Sequence, residues 1–190
     1  MTRLLIIGPP GAGKGTQAAR ISERLGVSAI STGDIFRHNV KELTPLGLEA
    51  KKYIDAGNFV PDSVTNNMVR DRLANDDVAE GFLLDGYPRT TAQVEELDRI
   101  LAESGQKLDA VLQLTADDEE LVQRLLRRAE IEGRADDNED VIRHRLDLYK
   151  KETADVVARY SDRGIVTQVD GLGDIDEVTE RIMDALSDLR

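Results

Sequence analysis

Five short apolar runs alternate with longer segments of helical periodicity along the chain. The runs are Arg3–Ile7, Ser28–Ser31, Phe82–Asp85, Ala110–Leu114 and Ile165–Val169. Continuous apolar runs of this length are typical of strands buried on both faces of a parallel sheet. Apolar residues at helical spacing predict helices over Thr16–Leu25, Ser63–Leu73, Ala92–Glu103, Asp118–Arg128, Asn138–Ser161 and Ile175–Leu189. This alternation predicts an α/β fold, a parallel five-stranded sheet with helices on both faces.

Two stretches interrupt the alternation. Residues 32–75 separate the second and third strands by more than a single crossover requires, and prolines and glycines break them into short pieces. We expect a small helical insert there. Residues 129–138 are acidic, contain glycine and show no periodicity, so we expect a short mobile flap between two helices. With 190 residues, the whole chain fits one domain.

The composition restricts the class of protein. A formal net charge of −12 argues against nonspecific binding to nucleic acid or to anionic membranes, because both require a basic surface. No apolar run approaches the roughly 20 residues that span a bilayer, and the first strand begins too early to leave space for a signal peptide. Cysteine is absent from the sequence, which excludes disulfides and thiolate metal sites. We expect a cytoplasmic protein.

The segment between the first strand and the first helix has the pattern of a phosphate-binding loop. It reads GPPGAGKGT from Gly8 to Thr16 and matches G-x-x-x-x-G-K-[ST] through Lys14, with Gly15 at the Ser/Thr position. Its glycines allow several backbone N–H groups to converge at a helix N-terminus, where an anion is favoured. We predict a triphosphate ligand whose β and γ phosphates Lys14 reaches. The alternative is an ordinary glycine-rich turn between a strand and a helix, but packing gives no reason for a lysine within such a turn.

The third apolar run ends in a carboxylate, and an arginine follows shortly after it. Asp85 is expected beside the phosphate loop, at the position that holds Mg²⁺, directly or through water, in loop-type nucleoside triphosphatases. Because the sequence also contains the phosphate loop, we favour this role over the alternative, in which Asp85 caps the turn before Gly86. Arg89 lies in the next loop, at the sheet edge where open α/β sheets bind ligands, and its planar guanidinium suits phosphate.

Arginines are concentrated in the expected flap and on the two helices that flank it. They are Arg124, Arg127, Arg128, Arg134, Arg143 and Arg145. Like charges four residues apart, as at Arg124 and Arg128, cost roughly 0.2–0.5 kcal/mol unless an anion lies between them. The neighbouring acidic residues offer another interpretation, a solvated charge network. Charge patterning alone does not decide between a phosphate site and such a network.

Taken together, these motifs resemble the adenylate kinase family in its short-lid form, over essentially the whole chain. The motifs that carry the resemblance are GPPGAGKGTQ (8–17), STGDIFR (31–37), AGNFVPD (56–62), FLLDGYPRTTAQ (82–93), the Arg124/Arg128 helix, GRADDNE (133–139) and RHRL (143–146). The resemblance implies a monomeric P-loop kinase domain over residues 1–190, with an AMP-binding insert at about 31–60 and a lid at about 128–138. It implies reversible, Mg²⁺-dependent transfer of the terminal phosphoryl group of ATP to AMP, giving two ADP.

The resemblance also implies a role for individual residues. For ATP these are Gly11, Ala12, Gly13, Lys14, Gly15, Thr16, Arg124, Arg128 and Gly173. For AMP they are Thr32, Arg37, Asn58, Phe59, Val60, Gly86, Tyr87, Pro88, Arg89, Gln93, Arg134 and Arg145. The implied catalytic residues are Lys14, Arg89, Arg128, Arg134 and Arg145. Asp85 is implied to orient water on the magnesium ion.

Two features of the sequence bear on metal and base selectivity. Many bacterial members carry a longer lid that sometimes holds zinc through cysteines, so the short lid and the absence of cysteine predict no zinc here. The resemblance implies Mg²⁺ with ATP. The nearest alternative is a UMP/CMP kinase of the same fold. Gln93, whose amide can pair with adenine in a bidentate manner, and Thr32 both favour AMP. A GTPase-type switch would need an N-K-x-D motif, which the sequence lacks. A catalytically silent nucleotide-binding module would not need Lys14 and the arginines, all of which are intact.

Overall fold

A parallel sheet of five strands forms the centre of the molecule. The computed structural model describes residues 2–9, 11–56, 60–133 and 138–187. The strands are β1 (Thr2–Ile7), β2 (Ser28–Ser31), β3 (Gly81–Asp85), β4 (Ala110–Thr115) and β5 (Val166–Asp170), in the order β2-β3-β1-β4-β5. The predicted fold class and all five predicted strands are confirmed, with strand ends that differ by at most one residue.

Eight α-helices surround this sheet within the described ranges. They are α1 (Lys14–Leu25), α2 (Thr32–Lys41), α3 (Pro45–Asp55), α4 (Asp62–Leu73), α5 (Thr91–Glu103), α6 (Asp118–Glu132), α7 (Glu139–Asp162) and α8 (Ile175–Ala185), with a short 3₁₀ helix at Asp76–Val78. Within the described ranges, the stretch between β2 and β3 contains α2, α3 and α4, as expected for a helical insert. Within the same ranges, no helix combines the length and the apolar character that crossing a membrane requires.

Two helices have C-terminal ends that differ by more than one residue from those predicted. Helix α6 continues to Glu132 rather than ending at Arg128, so the first residues of the expected flap are helical. Residues 130–132 are exposed and therefore add no apolar periodicity, while Gly133, with a left-handed φ of 66°, ends the helix. Residues 134–137 of the flap lie outside the described residues. Helix α8 ends at Ala185 rather than Leu189.

The central strand β1 contributes to two separate cores, one on each face of the sheet. Leu5 and Ile7 point to one face, and Leu4 and Ile6 point to the other, because successive side chains of a strand alternate. Helices α4 and α5 cover the first face with Val64, Met68, Val94 and Leu97. Helices α1 and α8 cover the second with Ala18, Ile21, Val178 and Ile182. Burial on both faces explains why β1 is continuously apolar from Leu4 to Ile7.

A buried polar contact joins α1 to the start of α8. Gln17 is 3% exposed, and its Nε2 donates to the Ile175 carbonyl oxygen at 3.1 Å. Its Oε1 accepts a hydrogen bond from the Thr179 hydroxyl at 2.7 Å. Every polar atom of this buried amide side chain is therefore satisfied by α8. The helix that follows the glycine-rich loop is thus fixed to the last helix of the fold.

Candidate active site

A cleft of about 770 Å³ opens at the carboxyl edge of the sheet. Its wall is formed by the loop after β1, the loop after β3, and parts of α6 and α7. The predicted site residues that line it are Gly11, Gly13, Lys14, Gly15, Thr16, Gly86, Tyr87, Pro88, Arg89, Arg124, Arg128 and Arg145. Segments distant in sequence therefore meet at the edge where open α/β sheets bind ligands.

The glycine-rich loop ends in the first turn of α1. Gly11 and Gly13 have positive φ angles of 85° and 78°, a backbone conformation that favours glycine. Lys14 is the first helical residue, and the N–H groups of such a first turn lack partners within the helix. Gly15 and Thr16 are exposed and line the cleft. The positive end of the α1 dipole therefore faces the cleft, an arrangement suited to an anion.

Lys14 and Asp85 form an ion pair beneath this loop. The Lys14 Nζ lies 2.6 Å from Asp85 Oδ1, and the two side chains are 28% and 17% exposed. They meet because β1 and β3 are neighbours and Asp85 is the last residue of β3. The sequence analysis assigns Lys14 to phosphate binding and Asp85 to the water around magnesium. In this structure, the opposite charges of the two side chains neutralise each other.

The loop after β3 packs closely against the start of α2. Gly86 has φ 92°, and a Cβ atom there would lie 2.5 Å from the Thr32 hydroxyl oxygen, so only glycine fits. The Tyr87–Pro88 peptide bond is cis. Arg89 Nε donates to the Gly86 carbonyl oxygen at 3.0 Å. Thr32 and the loop from Gly86 to Arg89, all predicted to bind AMP, are therefore brought together.

Gln93 lies behind the same loop, and only 6% of it is exposed. Its Oε1 accepts a hydrogen bond from the Arg89 backbone N–H at 2.7 Å. Its Nε2 donates to Asp62 Oδ1 at 2.9 Å. Both ends of the amide predicted to recognise adenine are therefore held by the protein.

Arg124 on α6 makes hydrogen bonds to two loops of the site. Its Nη1 donates to the Gly11 carbonyl oxygen at 3.0 Å, and its Nη2 donates to the Gly173 carbonyl oxygen at 3.4 Å. The arginine therefore joins the glycine-rich loop to the loop before α8. Gly173, predicted to lie near the ATP base, has φ 121° and is exposed beside this contact.

The arginines of α6 and α7 divide between the cleft and the outer surface. Arg128 lines the cleft, and its Nε lies 3.4 Å from both carboxylate oxygens of Glu132. Arg145 also lines the cleft. Arg143 instead pairs with Glu119 and Glu139, each at 2.8 Å. Hydrogen bonds from Arg143 lower the pKa of the Glu119 carboxyl. Arg143 therefore belongs to a surface charge network, whereas Arg128 and Arg145 lie where a phosphate could reach them.

Several predicted residues among those that the structure describes do not line the cleft. Within the described ranges they are Ala12, Thr32, Arg37, Val60, Asp85, Gln93 and Gly173. Arg37 is exposed on α2, where it forms an ion pair with Asp34 of the same helix. Asn58, Phe59 and Arg134 lie outside the described residues. In the part of the chain that the structure describes, no cluster of three or more His, Cys, Asp or Glu could hold a metal ion.

One face of α7 contributes cleft residues that the sequence analysis does not single out. Leu148, Tyr149, Glu152 and Thr153 line the cleft together with Arg145. Their spacing from Arg145 is three, four, seven and eight residues, the pattern of one helical face, which would have identified them. Burial raises the pKa of the Tyr149 hydroxyl to about 12. The tyrosine therefore stays neutral at physiological pH.

Comparison with known proteins gives a consistent result. A model of the family described as "Adenylate kinase" matches residues 6–165. An adenylate kinase from Pseudarthrobacter chlorophenolicus is 75% identical over 186 residues, covering 98% of this chain and 97% of that protein. One from Kocuria rhizophila is 74% identical, covering 98% of this chain and 99% of that protein. One from Renibacterium salmoninarum is 70% identical over 190 residues, covering 100% of this chain and 98% of that protein.

Proposed function

Because this chain belongs to the adenylate kinase family, we propose that its cleft transfers the terminal phosphoryl group of ATP reversibly to AMP, giving two ADP. The chain is a nucleoside monophosphate kinase, and the family match does not favour the UMP/CMP alternative. One observation carries the assignment of the reaction to this cleft. The glycine-rich loop, Arg89, Arg128 and Arg145 line a single cavity that is large enough for nucleotide phosphates.

The charges in the cleft suit phosphoryl transfer. In this reaction, negative charge spreads over the transferring group, and the protein contributes positioning and positive charge rather than a covalent nucleophile. The loop from Gly11 to Thr16 would hold the ATP phosphates with its backbone N–H groups and Lys14. Arg124 and Arg128 would approach ATP from α6. The main chain at Gly173 would lie beside its base.

The AMP phosphate would bind at the loop from Gly86 to Arg89. Its base would lie near Thr32 and Gln93, with Arg37 and the backbone of residues 58–60 completing the site. Arg134 and Arg145 would contact the transferring phosphoryl group. We assign residues 31–60 to AMP binding and residues 128–138 to a lid that closes and excludes water, which otherwise competes as acceptor.

Asp85 fits a role in holding Mg²⁺. This ion is usually bound through one or two carboxylates, together with phosphate oxygens and several waters, so a cluster of protein ligands is not required. When bound, Mg²⁺ neutralises charge on the ATP phosphates. A phosphate that attracts the Lys14 ammonium would release Asp85 from its ion pair, and the free carboxylate could then orient magnesium waters.

The nucleotide partners proposed are ATP, AMP and ADP. The absence of a zinc site, the monomeric state, the cytoplasmic location and the absence of nucleic-acid and membrane partners stay predictions from the sequence.

The proposal is tested by supplying Mg²⁺ and ATP with AMP, GMP, CMP or UMP in turn and measuring ADP. We expect ADP formation that requires Mg²⁺ and AMP and is far weaker with the other three acceptors. A reaction without acceptor measures ATP hydrolysis, which we expect to be negligible. Preference for CMP or UMP would retain the reaction type and overturn the substrate. Rapid hydrolysis without any acceptor would contradict the kinase proposal.

A further inference from the structure

The Asp62 carboxylate, which does not line the cleft, accepts a hydrogen bond from the Gln93 amide that is predicted to recognise the base. Asp62 is the first residue of α4, and its Oδ1 accepts the hydrogen bond from Gln93 Nε2 at 2.9 Å. The Thr90 hydroxyl lies 3.5 Å from the other carboxylate oxygen. Thr90 in turn caps α5 by accepting the Gln93 backbone N–H at 3.1 Å. Asp62 therefore connects α4 to both the backbone cap and the side chain of Gln93.

The partners of the Gln93 amide allow only one orientation. The Arg89 backbone N–H can only donate, so the atom facing it must be the Gln93 oxygen. An ionised Asp62 can only accept, so the atom facing it must be the Gln93 nitrogen. Each amide atom keeps spare capacity, one N–H donor and one lone pair. Recognition of adenine requires one donor and one acceptor in a fixed order, and a flipped amide would reverse that order.

Helix α4 holds the Asp62 carboxylate on a fixed element. At the other end of α4, Arg70 Nη2 lies 2.8 Å from Glu96 Oε1 of α5, and Arg70 also forms an ion pair with Glu103. Val64 and Met68 bury the intervening face of α4 in the core. The two helices are therefore joined at both ends.

We propose that Asp62 is a positioning residue for base selection: it fixes the Gln93 amide so that its free donor and acceptor match adenine. The inference rests on the proposed function, because it concerns the acceptor site of the same reaction. Asp62 acts through Gln93 and does not itself touch the nucleotide. A simpler role is stabilisation of the N-terminus of α4 by its negative charge. The two roles differ in what happens when Gln93 is removed.

The test is a double-mutant cycle with Asp62→Ala, Gln93→Ala and the double variant. The quantity measured is the ratio of kcat/KM for AMP to that for CMP. We expect Asp62→Ala to lower this ratio at least about tenfold, as a lost bidentate base contact does. In the Gln93→Ala background, the same change should alter the ratio less than about twofold, because contacting residues are not additive. KM for ATP should stay unchanged.

Three further variants keep the test decisive. Asp62→Asn retains an acceptor oxygen and should therefore keep most of the preference for AMP that Asp62→Ala loses. Asp62→Ser keeps a favourable residue at the helix start but is too short to reach Gln93, so it replaces Asp62→Ala if that variant does not fold. Asp71→Ala removes an exposed carboxylate from the same helix and should leave the ratio unchanged.

The outcomes separate this inference from the proposed function. If the unmodified protein prefers AMP and Gln93→Ala loses that preference while Asp62→Ala and Asp62→Ser retain it, the positioning role is wrong. An equal effect of the Asp62 substitution in both backgrounds would also overturn it and leave only the helix-stabilising role. If the unmodified protein shows no preference for AMP, the proposed function itself fails.

Discussion

At the scale of single residues, the ion pair between Lys14 and Asp85 sets the charge balance beneath the glycine-rich loop. The distance of 2.6 Å between Lys14 Nζ and Asp85 Oδ1 holds the ammonium group beside the glycine-rich loop. The lysine side chain is therefore already ordered before a phosphate binds. The half-buried carboxylate also avoids the cost of an unpaired charge. The proposed binding of phosphate by Lys14 would therefore exchange one partner of this lysine for another.

Replacing Lys14 with methionine should remove most of the activity and keep the fold. We expect kcat to fall by at least about 10²-fold, because a charged contact to the transferring phosphoryl group is lost. Stability should decrease by about 1–3 kcal/mol, since Asp85 loses its cation. Steady-state kinetics and urea unfolding measure the two effects. The control is Lys107→Met, an exposed lysine before β4, at the opposite edge of the sheet. Near-normal kcat in Lys14→Met would remove this lysine from the proposed mechanism.

Motifs identified the residues of the two loops, whereas Arg124, Arg128 and Arg145 of the helices followed only from the family resemblance and not from charge patterning. Lys14 and Arg89 follow strands whose ends are visible in the sequence, so their place at the sheet edge could be predicted. Arg143 and Arg145 are equivalent in charge patterning, but two residues in a helix point to nearly opposite sides. Only the packing of α7 shows that Arg145 faces the cleft. The same lack of orientation left Tyr149 unrecognised.

At the scale of elements, α2 and α3 form a tightly packed pair. A Cβ atom on Gly47, in the first turn of α3, would lie only 2.0 Å from the Asn39 carbonyl oxygen of α2. Thr44 caps α3 by accepting the Gly47 N–H at 3.0 Å and donates to the Asn39 side chain at 2.7 Å. The absence of a side chain at Gly47 therefore sets the distance between the two helices.

Gly47→Ala should force this helix pair apart. We expect a stability loss of about 1–3 kcal/mol from overpacking, because backbone atoms rather than flexible side chains must move. KM for AMP should increase more than KM for ATP, since α2 carries Thr32 and Arg37. Denaturant unfolding and kinetics with each nucleotide varied test this. Glu49→Ala, at an exposed position of the same helix, is the control and should change neither quantity. Unchanged stability of Gly47→Ala would contradict the close approach.

The sequence predicted the elements well where apolar residues mark them and poorly where they are solvated. The central strands β1, β3 and β4 are buried, so their apolar runs were clear, whereas β2 and β5 lie at the edges of the sheet and are only partly buried. The last turn of α6 exposes Glu130, Ile131 and Glu132 and carries no such signal. Gly133 was the only local mark of its end. Helices α2 and α3 were expected only as parts of a helical insert without individual bounds, because their short pieces give weak periodicity.

At the scale of the whole molecule, acidity makes stability depend on pH through ion pairs. Arg70 donates a hydrogen bond to Glu96, which lowers the pKa of this carboxyl below its ordinary value. The unfolded chain therefore binds a proton at Glu96 more readily than the folded one. The stabilisation is complete above the unfolded pKa, about 4.3, and is lost as pH falls through the folded pKa.

Glu96→Gln tests this dependence. At pH 7, we expect the free energy of unfolding to decrease by about 0.5–1 kcal/mol, because the pair is partly exposed. The difference from the unmodified protein should shrink as pH falls below about 4.3 and vanish in acid. Urea unfolding at a series of pH values measures it. Glu80→Gln, at an exposed loop position, should show no such convergence. A difference that grows on acidification would mean that the folded protein does not lower the pKa of Glu96.

The polar contact of Gln17 with Ile175 and Thr179 has a consequence for the order of events during synthesis. The glycine-rich loop and α1 are translated well before α8, but the buried Gln17 amide of α1 obtains its hydrogen-bond partners from α8. A nascent chain on the ribosome can pair β1, β3 and β4 while the Gln17 amide still lacks these partners. The loop therefore gains this support only after α8 has emerged from the ribosome, and we expect its full ordering to wait for that step.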